Sequence, residues 1–228
     1  LAFWPLAVLF TGFAAGGIAN AINIIDGFNG LASGTVTWSL LALSGIAFHA
    51  GDQALSIVAL LVAAAMVGFM VVNFPWGRLF LGDGGAYFIG SAISLLAILL
   101  CHRNLQVSPW FAFVLVLYPF VDTSAAILRR LLSGRPIMAP DAAHMHTLLA
   151  RWMVAKVGPA GRNWASVIVV AVSALSALLA VLLHRETEAL MLLCGAMMTI
   201  FAVCYVLLWR RVQAPLSADV TPPLQVRL

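Results

Sequence analysis

Long apolar runs separated by short polar segments dominate the chain. Seven of these runs reach or come within one residue of the length that crosses a bilayer as a helix, about 17 to 25 residues. They cover residues 2–20, 33–50, 54–74, 86–101, 109–128, 164–184 and 189–209. Their apolar residues are continuous rather than alternating, and only helices or closed barrels satisfy the backbone polar groups in lipid. We therefore predict an all-α fold, a polytopic transmembrane bundle of about seven helices.

Composition leads to the same class of protein. The chain is 63% hydrophobic and 9% charged, with a mean hydropathy of +1.05, as expected of an integral membrane protein. Its three cysteines, Cys101, Cys194 and Cys204, lie in or beside apolar runs without CxxC spacing, so neither a disulfide framework nor a zinc site is indicated. We predict one transmembrane domain over residues 1–210 and a disordered, proline-rich tail over residues 211–228.

The positions of the basic residues predict the orientation of the bundle. If residues 129–163 are cytoplasmic, alternation of the spans places 21–32, 75–85 and 210–228 on the same side. Ten of the twelve lysines and arginines then lie inside, and only Arg103 and Arg185 lie outside, as the positive-inside rule requires. This distribution accounts for the basic pI without a nucleic-acid partner. It also places all the polar motifs described next on one face.

The first polar motif follows the first apolar run. Asn20, Asn23 and Asp26 recur at three-residue spacing, which on a helix end brings their oxygen-bearing side chains towards one face. Such hard oxygen ligands suit magnesium. Gly27 and Gly30 then break the helix and allow backbone amides to approach an anion. The structural alternative, that Asp26 only ends a helix, stays open.

The second motif is a glycine-rich turn, residues 80–85, just before the fourth run. It carries Asp83 between Gly82 and Gly84, an arrangement that allows amides at a helix start to face a phosphate. The structural alternative is that Asp83 caps a helix beginning at residue 86.

The third region combines an acidic residue at membrane depth with a basic loop. Asp122 lies near the inner end of the fifth run, where an ionisable group is a functional candidate. His144 and His146 follow on a loop with several arginines, groups that bind a diphosphate. A two-histidine metal site is less favoured, because no third ligand lies nearby in sequence. Most of the arginines are accounted for by the positive-inside rule.

Together these motifs resemble the polyprenyl-phosphate N-acetylhexosamine-1-phosphate transferase family of bacterial membrane enzymes. The resemblance covers about residues 1–150 and rests on four ordered motifs. These are Asn20-x-x-Asn23-x-x-Asp26-Gly27-x-x-Gly30-Leu31, Phe80-x-Gly82-Asp83-x-Gly85, Pro119-x-x-Asp122-Thr123 and Pro140-Asp141-x-x-His144-x-His146.

The resemblance implies a reaction and a set of partners. It implies transfer of a sugar 1-phosphate from a UDP-N-acetylhexosamine to a polyprenyl phosphate in the bacterial inner membrane, with release of UMP, to begin a cell-envelope polysaccharide intermediate. It also implies Mg²⁺ as cofactor. A homodimer stays open, and the sugar is not specified.

The resemblance also assigns roles to residues. Asp26 and Asp83 are the implied catalytic residues, and together with Asn23 they form the implied metal site. The implied substrate-binding residues are Asn20, Asn23, Asn29, Gly82, His144 and His146.

Three departures from the family pattern limit this interpretation. Asn29 stands where the family usually has a second aspartate, and Ala142 and Thr147 stand where it often has arginine and histidine. No two of the eight acidic residues are adjacent, so the family's upstream Asp-Asp motif is absent. Because the chain begins at Leu1 in what resembles the middle of the family's bundle, we expect it to be a fragment that lacks N-terminal helices and is itself inactive.

Two other classes remain as alternatives. A catalytically inactive homologue that binds or scaffolds at the membrane fits the three departures. A transporter would place Asp122 and the Asn/Asp motif along a substrate path, but the sequence lacks the matching broken helices that inverted repeats leave.

Overall fold

The computed structural model describes residues 3–137 and 141–213, and all regular secondary structure in these residues is helical. Nine helices form this part of the chain. They are α1 (Trp4–Ile25), α2 (Leu31–His49), α3 (Gln53–Asn73), α4 (Gly82–Arg103), α5 (Pro109–Leu115), α6 (Leu117–Leu132), α7 (Met145–Val157), α8 (Gly161–Leu182) and α9 (Thr187–Gln213).

The predicted all-α transmembrane class is confirmed. Six helices are long and apolar enough to cross a membrane, and the number becomes seven if α5 and α6 together form one span. Two elements differ from the prediction. The run at 109–128 is a pair of helices bent by 70°, and α7 lies in the segment predicted as a loop. Helix α9 continues to Gln213, past the predicted boundary at 210, and the predicted tail from residue 214 onward lies outside the described residues.

The bend between α5 and α6 has an identifiable cause. Pro119 has no backbone N–H, so it cannot donate to the carbonyl four residues earlier, that of Leu115. The Ser39 hydroxyl of α2 donates to this carbonyl instead, at 2.8 Å. A backbone acceptor freed inside the bundle is thus satisfied by a neighbouring helix, as lipid surroundings require.

Helix α2 forms the centre of the bundle and packs on α3, α8 and α4. Small and hydroxylated residues let its neighbours approach closely: a Cβ added at Gly34 would lie 2.7 Å from the Val170 side chain of α8. Within α2 the Thr37 hydroxyl donates to the Ser33 carbonyl at 2.7 Å, whereas the Ser44 hydroxyl donates to the Ser56 carbonyl of α3 at 2.9 Å. The centre of the bundle is therefore held by close helix contact, not by large apolar side chains alone.

The chain reversals lie at two ends of the bundle. One end carries residues 26–30, 74–81 and 141–146, and we call it the motif end. At the opposite end, Arg103 lies 3.4 Å from Asp52, and the Thr187 hydroxyl donates to that of Ser108 at 2.8 Å. All the sequence motifs therefore lie at one end of the bundle.

Candidate functional site

The turn between α1 and α2 has the geometry predicted for the first motif. Asn20 and Asn23 lie on the last turns of α1, and Asp26 is its C-cap residue, whose backbone N–H donates to the Asn23 carbonyl at 3.2 Å. Gly30 precedes α2 with φ +74°, a left-handed conformation that favours glycine. Asn20 is exposed and its Oδ1 accepts a 3.4 Å bond from the Tyr87 hydroxyl, whereas Asn23 is half-buried.

Two carboxylates interact electrostatically at this turn. Asp26 is half-buried, and burial together with the charge of Asp83 raises its pKa to about 6. Asp83 is exposed in the first turn of α4, which begins at Gly82 with φ +62°. Because α4 begins at residue 82, Asp83 lies inside the helix and does not cap a helix that starts at 86.

The connection between α3 and α4 joins three distant segments at the motif end. The side-chain amides of Asn29 and Asn163 both donate to the Pro75 carbonyl, at 2.9 and 3.1 Å. The Gly30 backbone N–H donates to the Asn73 side-chain oxygen at 2.6 Å, in a buried contact. The first motif is thus fixed to the ends of α3 and α8 by specific hydrogen bonds.

A buried cluster surrounds Asp122 of α6, whose side chain is 1% exposed. One carboxylate oxygen contacts His144 Nδ1 at 2.8 Å, and the other accepts the Met145 backbone N–H at 2.7 Å. His146 Nδ1 lies 3.6 Å from Asp122 and 3.2 Å from the Tyr118 hydroxyl. Asp122 therefore joins the two histidines in one buried cluster, a contact that their spacing in the sequence did not indicate.

The two histidines of this cluster are stacked, with ring centroids 5.4 Å apart. Burial lowers the pKa of His146 to about 4, against the opposing effect of Asp122, so its ring is neutral at pH 7. Phe28 packs edge-on against this ring at 5.2 Å. Since Phe28 belongs to the α1–α2 turn, the turn and the Asp122 cluster form one continuous site.

Asp141 holds the segment before His144. Its carboxylate accepts a hydrogen bond from the Arg129 guanidinium and another, at 2.9 Å, from the Ala143 backbone N–H. Burial alone would raise the pKa of Asp141, but the Ala143 N–H and Arg129 lower it. The Tyr205 hydroxyl of α9 donates to the Ala143 carbonyl at 3.0 Å. Asp141 therefore orders the backbone that carries the histidines.

Two exposed arginines at the motif end lie over aromatic rings. The Arg162 guanidinium carbon is 5.2 Å from the Phe28 ring centroid, and that of Arg78 is 5.1 Å from the Trp76 ring. The contacts of Phe28, Arg162 and Asn163 could not be predicted from the sequence, because each joins residues far apart in the chain.

The side chains at the motif end fit a magnesium ion better than a metal held by protein ligands alone. In the described ranges, 3–137 and 141–213, no group of three His, Cys, Asp or Glu side chains is arranged to hold a metal. Magnesium, however, is usually bound by one or two carboxylates with substrate phosphates and water. Asp26 and Asp83, whose charges interact, are the carboxylates of the motif end that could serve in this way, and the resemblance adds the Asn23 carboxamide to them.

Comparison with known proteins gives a family match for the first part of the chain. Residues 2–101 match the model of Glycosyl transferase family 4, a range that contains the first two motifs. The third and fourth motifs lie outside it.

Curated relatives extend the match beyond this range. The probable undecaprenyl-phosphate N-acetylglucosaminyl 1-phosphate transferase of Bacillus subtilis (strain 168) is 37% identical over 144 residues, 63% of this chain and 39% of the relative. The phospho-N-acetylmuramoyl-pentapeptide-transferase of Synechococcus sp. (strain JA-3-3Ab) is 33% identical over 159 residues, which are 66% of this chain and 43% of the relative. The undecaprenyl-phosphate alpha-N-acetylglucosaminyl 1-phosphate transferase of Escherichia coli (strain K12) is 31% identical over 152 residues, which are 64% of this chain and 41% of the relative. The chain thus spans about two fifths of the length of these relatives.

Proposed function

We propose that the protein transfers an N-acetylhexosamine 1-phosphate from a UDP-sugar to a polyprenyl phosphate, because residues 2–101 match the model of Glycosyl transferase family 4. UMP is the leaving group, Mg²⁺ the cofactor and the bacterial inner membrane the location. The names of the relatives support this reaction class. The transfer breaks the donor diphosphate bond and forms a new one to the lipid phosphate.

The motif end suits the meeting of these two substrates. A lipid phosphate presents its headgroup at the membrane surface while its tail stays in the bilayer, and a nucleotide sugar arrives from the cytosol. We place the motif end on the cytoplasmic side, because ten of the twelve basic residues belong to segments on that side. Asn20 and Gly82 line the exposed part of this end and are proposed to contact the substrate.

One observation carries the proposal: Asp26 is half-buried and lies close enough to Asp83 to be affected by its charge. Burial, and secondly the charge of Asp83, raise the pKa of Asp26 to about 6, and a bound cation compensates both effects. Magnesium, when bound, neutralises phosphate charge and stabilises the leaving group. In our proposal Asp26, Asp83 and Asn23 hold it.

The Asp122 cluster is proposed to orient the substrate phosphates. The Asp122 carboxylate accepts from His144 Nδ1, which fixes the orientation of the imidazole ring and leaves its other nitrogen, Nε2, for the substrate. His146 is neutral at pH 7 because of its lowered pKa, so it contributes through its ring position and not through charge.

Exchange of radiolabelled UMP into a UDP-N-acetylhexosamine, catalysed by the purified full-length protein with polyprenyl phosphate and Mg²⁺, tests this function. We expect wild-type exchange to depend on both additions. Asp26→Asn and Asp83→Asn should each lower the rate by about 100-fold or more, as loss of a group that stabilises transition-state charge does.

Glu188→Gln is the matched control for these variants. Glu188 is an exposed carboxylate in the first turn of α9, at the opposite end of the bundle, so its removal should leave exchange unchanged. Exchange that survives both aspartate substitutions contradicts the proposed roles. A protein that binds UDP-sugar but never exchanges UMP is instead an inactive homologue.

A further inference from the structure

Arg162 reaches the proposed site from a part of the chain that none of the motifs includes. It lies in the first turn of α8, is exposed, and its guanidinium carbon is 5.2 Å from the Phe28 ring centroid. Phe28 is two residues from Asp26 and contacts the His146 ring. Arg162 therefore lies where the α1–α2 turn meets the histidine segment.

The guanidinium N–H groups of Arg162 have no hydrogen-bond partner within residues 3–137 and 141–213. Arg103 and Arg129 each pair with a carboxylate, whereas the ring of Phe28 is the partner recorded for Arg162. Attraction between a guanidinium and an aromatic face is weak at an exposed site. It holds the guanidinium in place while its five N–H donors remain available for an anion.

The start of α8 is also held firmly, so the base of Arg162 has a defined position. The next residue, Asn163, donates to the Pro75 carbonyl at 3.1 Å, the same oxygen that accepts from Asn29. Just before it, Gly161 lies so close to α7 that an added Cβ would be 2.4 Å from the Val154 backbone nitrogen.

Membrane orientation alone does not require these contacts. The positive-inside rule asks only that a basic residue lie in a cytoplasmic segment. Arg151 and Lys156 of α7 satisfy it with exposed side chains, and neither contacts an aromatic ring of the site. Arg162 differs from them because its guanidinium is positioned over Phe28.

We propose that Arg162 binds a phosphate group of the substrate beside the Asp26–Asp83 pair. The inference rests on the proposed function, since it assigns a further binding residue to the same site. A guanidinium suits this role because its planar N–H groups match phosphate oxygens bidentately. The phosphate belongs either to the nucleotide diphosphate or to the lipid phosphate, and the following experiment separates the two sources.

Binding of UDP and of uridine to the full-length protein gives the first readout. Relative to wild type, Arg162→Gln should raise the dissociation constant for UDP by about tenfold, the effect of losing one charge-assisted hydrogen-bond pair at an exposed site. Uridine affinity should not change, because uridine has no phosphate. Arg162→Lys should show a smaller loss, since it keeps the charge but not the planar fork. Arg151→Gln is the matched control and should match wild type.

Kinetics with both substrates gives the second readout. If the lipid phosphate is the ligand, Arg162→Gln raises KM for the polyprenyl phosphate and leaves UDP affinity unchanged. A change in neither UDP affinity nor either KM overturns the inference. Thermal unfolding of each variant shows whether it is folded. If Arg162→Gln has a folding defect, the UDP affinity and KM values of Arg162→Lys, which keeps the charge, are compared with those of wild type instead.

Failure of the inference and failure of the proposed function give different results. If the wild-type protein exchanges UMP and Arg162→Gln has the wild-type dissociation constant for UDP and both wild-type KM values, the role of Arg162 is refuted and the proposed function is unaffected. A wild-type protein that binds UDP through Arg162 without exchange refutes the function and leaves the phosphate contact intact. A wild-type protein that binds neither UDP nor lipid phosphate refutes both.

Discussion

Replacement of Asp122 is the most informative perturbation of the buried cluster. Its two carboxylate oxygens have separate partners, His144 Nδ1 at 2.8 Å and the Met145 backbone N–H at 2.7 Å. Asp122→Ala removes both acceptors. Asp122→Asn keeps one oxygen for Met145 but loses the charge, so the pair of variants separates folding from chemistry.

The expected magnitudes follow from these contacts. A buried N–H left without an acceptor costs about 1–3 kcal/mol, and a hydrogen bond to a charged group contributes about 1.5–3 kcal/mol. Asp122→Ala should therefore lower the free energy of unfolding by about 3–6 kcal/mol. Asp122→Asn should lower it by no more than about 1.5–3 kcal/mol, because the acceptor for Met145 remains.

Activity should respond differently from stability. The asparagine amide presents an N–H towards His144 Nδ1, which must then accept a hydrogen bond instead of donating one. Asp122→Asn therefore reverses the hydrogen-bonding pattern of the ring, and Asp122→Ala leaves the ring without this partner. We expect both variants to lose most of the UMP exchange activity, although Asp122→Asn remains folded.

Denaturant unfolding followed by tryptophan fluorescence in detergent, together with UMP exchange, measures both effects. Thr123→Val is the matched control, because the buried Thr123 hydroxyl is without a hydrogen-bond partner in the described part of the chain, so its loss should be neutral or slightly stabilising. Equal stability of Asp122→Ala and Asp122→Asn, or wild-type exchange by Asp122→Asn, would refute the reasoning.

Three further predictions concern the turn, the helix packing and the pH dependence. Asn29→Asp should lower the unfolding midpoint, because a carboxylate cannot donate to the backbone carbonyl that now accepts from Asn29; an unchanged midpoint counts against that hydrogen bond. Gly90→Ala should destabilise by about 1–3 kcal/mol in thermal unfolding, because the new Cβ would lie 2.6 Å from the Ala19 Cα, whereas Gly68→Ala meets nothing within 4 Å and should not. Exchange activity should rise with pH through about pH 6, the pKa of Asp26, since only the ionised carboxylate binds a cation; a rise near pH 4 would contradict this.

The sequence predicted the membrane helices well because lipid leaves few alternatives. A continuous apolar run in a bilayer must satisfy its own backbone groups, so helix is the expected result wherever such a run is long enough. The bend at Val116 was missed although its signal, Pro119, is local. The freed carbonyl, that of Leu115, is bonded by Ser39, which lies 76 residues before Leu115 in the chain. Helix α7 was missed because the many basic residues around it favoured a loop.

The candidate site was predicted only where its geometry is local. The end of α1 at Asp26 and the left-handed Gly30 follow from spacing and glycine chemistry. Phe28 and His146, which are in contact, are 118 residues apart in the sequence. Asn163 and Pro75, which share a hydrogen bond, are 88 residues apart. Such contacts depend on how the whole bundle packs, which periodicity does not report.

Asn29 shows how the structure changes the meaning of a motif. By comparison with the family pattern it is a lost charge. In the fold its side-chain amide donates to the Pro75 carbonyl at 2.9 Å, where an ionised aspartate would place a carboxylate against a carbonyl oxygen. It also leaves two carboxylates, Asp26 and Asp83, to balance one divalent cation in our proposal. A third carboxylate in the same turn, three residues from Asp26, would further oppose the ionisation of Asp26, whose pKa is already raised. The carboxamide thus fits both the hydrogen bonding and the charge balance of this site, so its presence is not by itself an argument for an inactive protein.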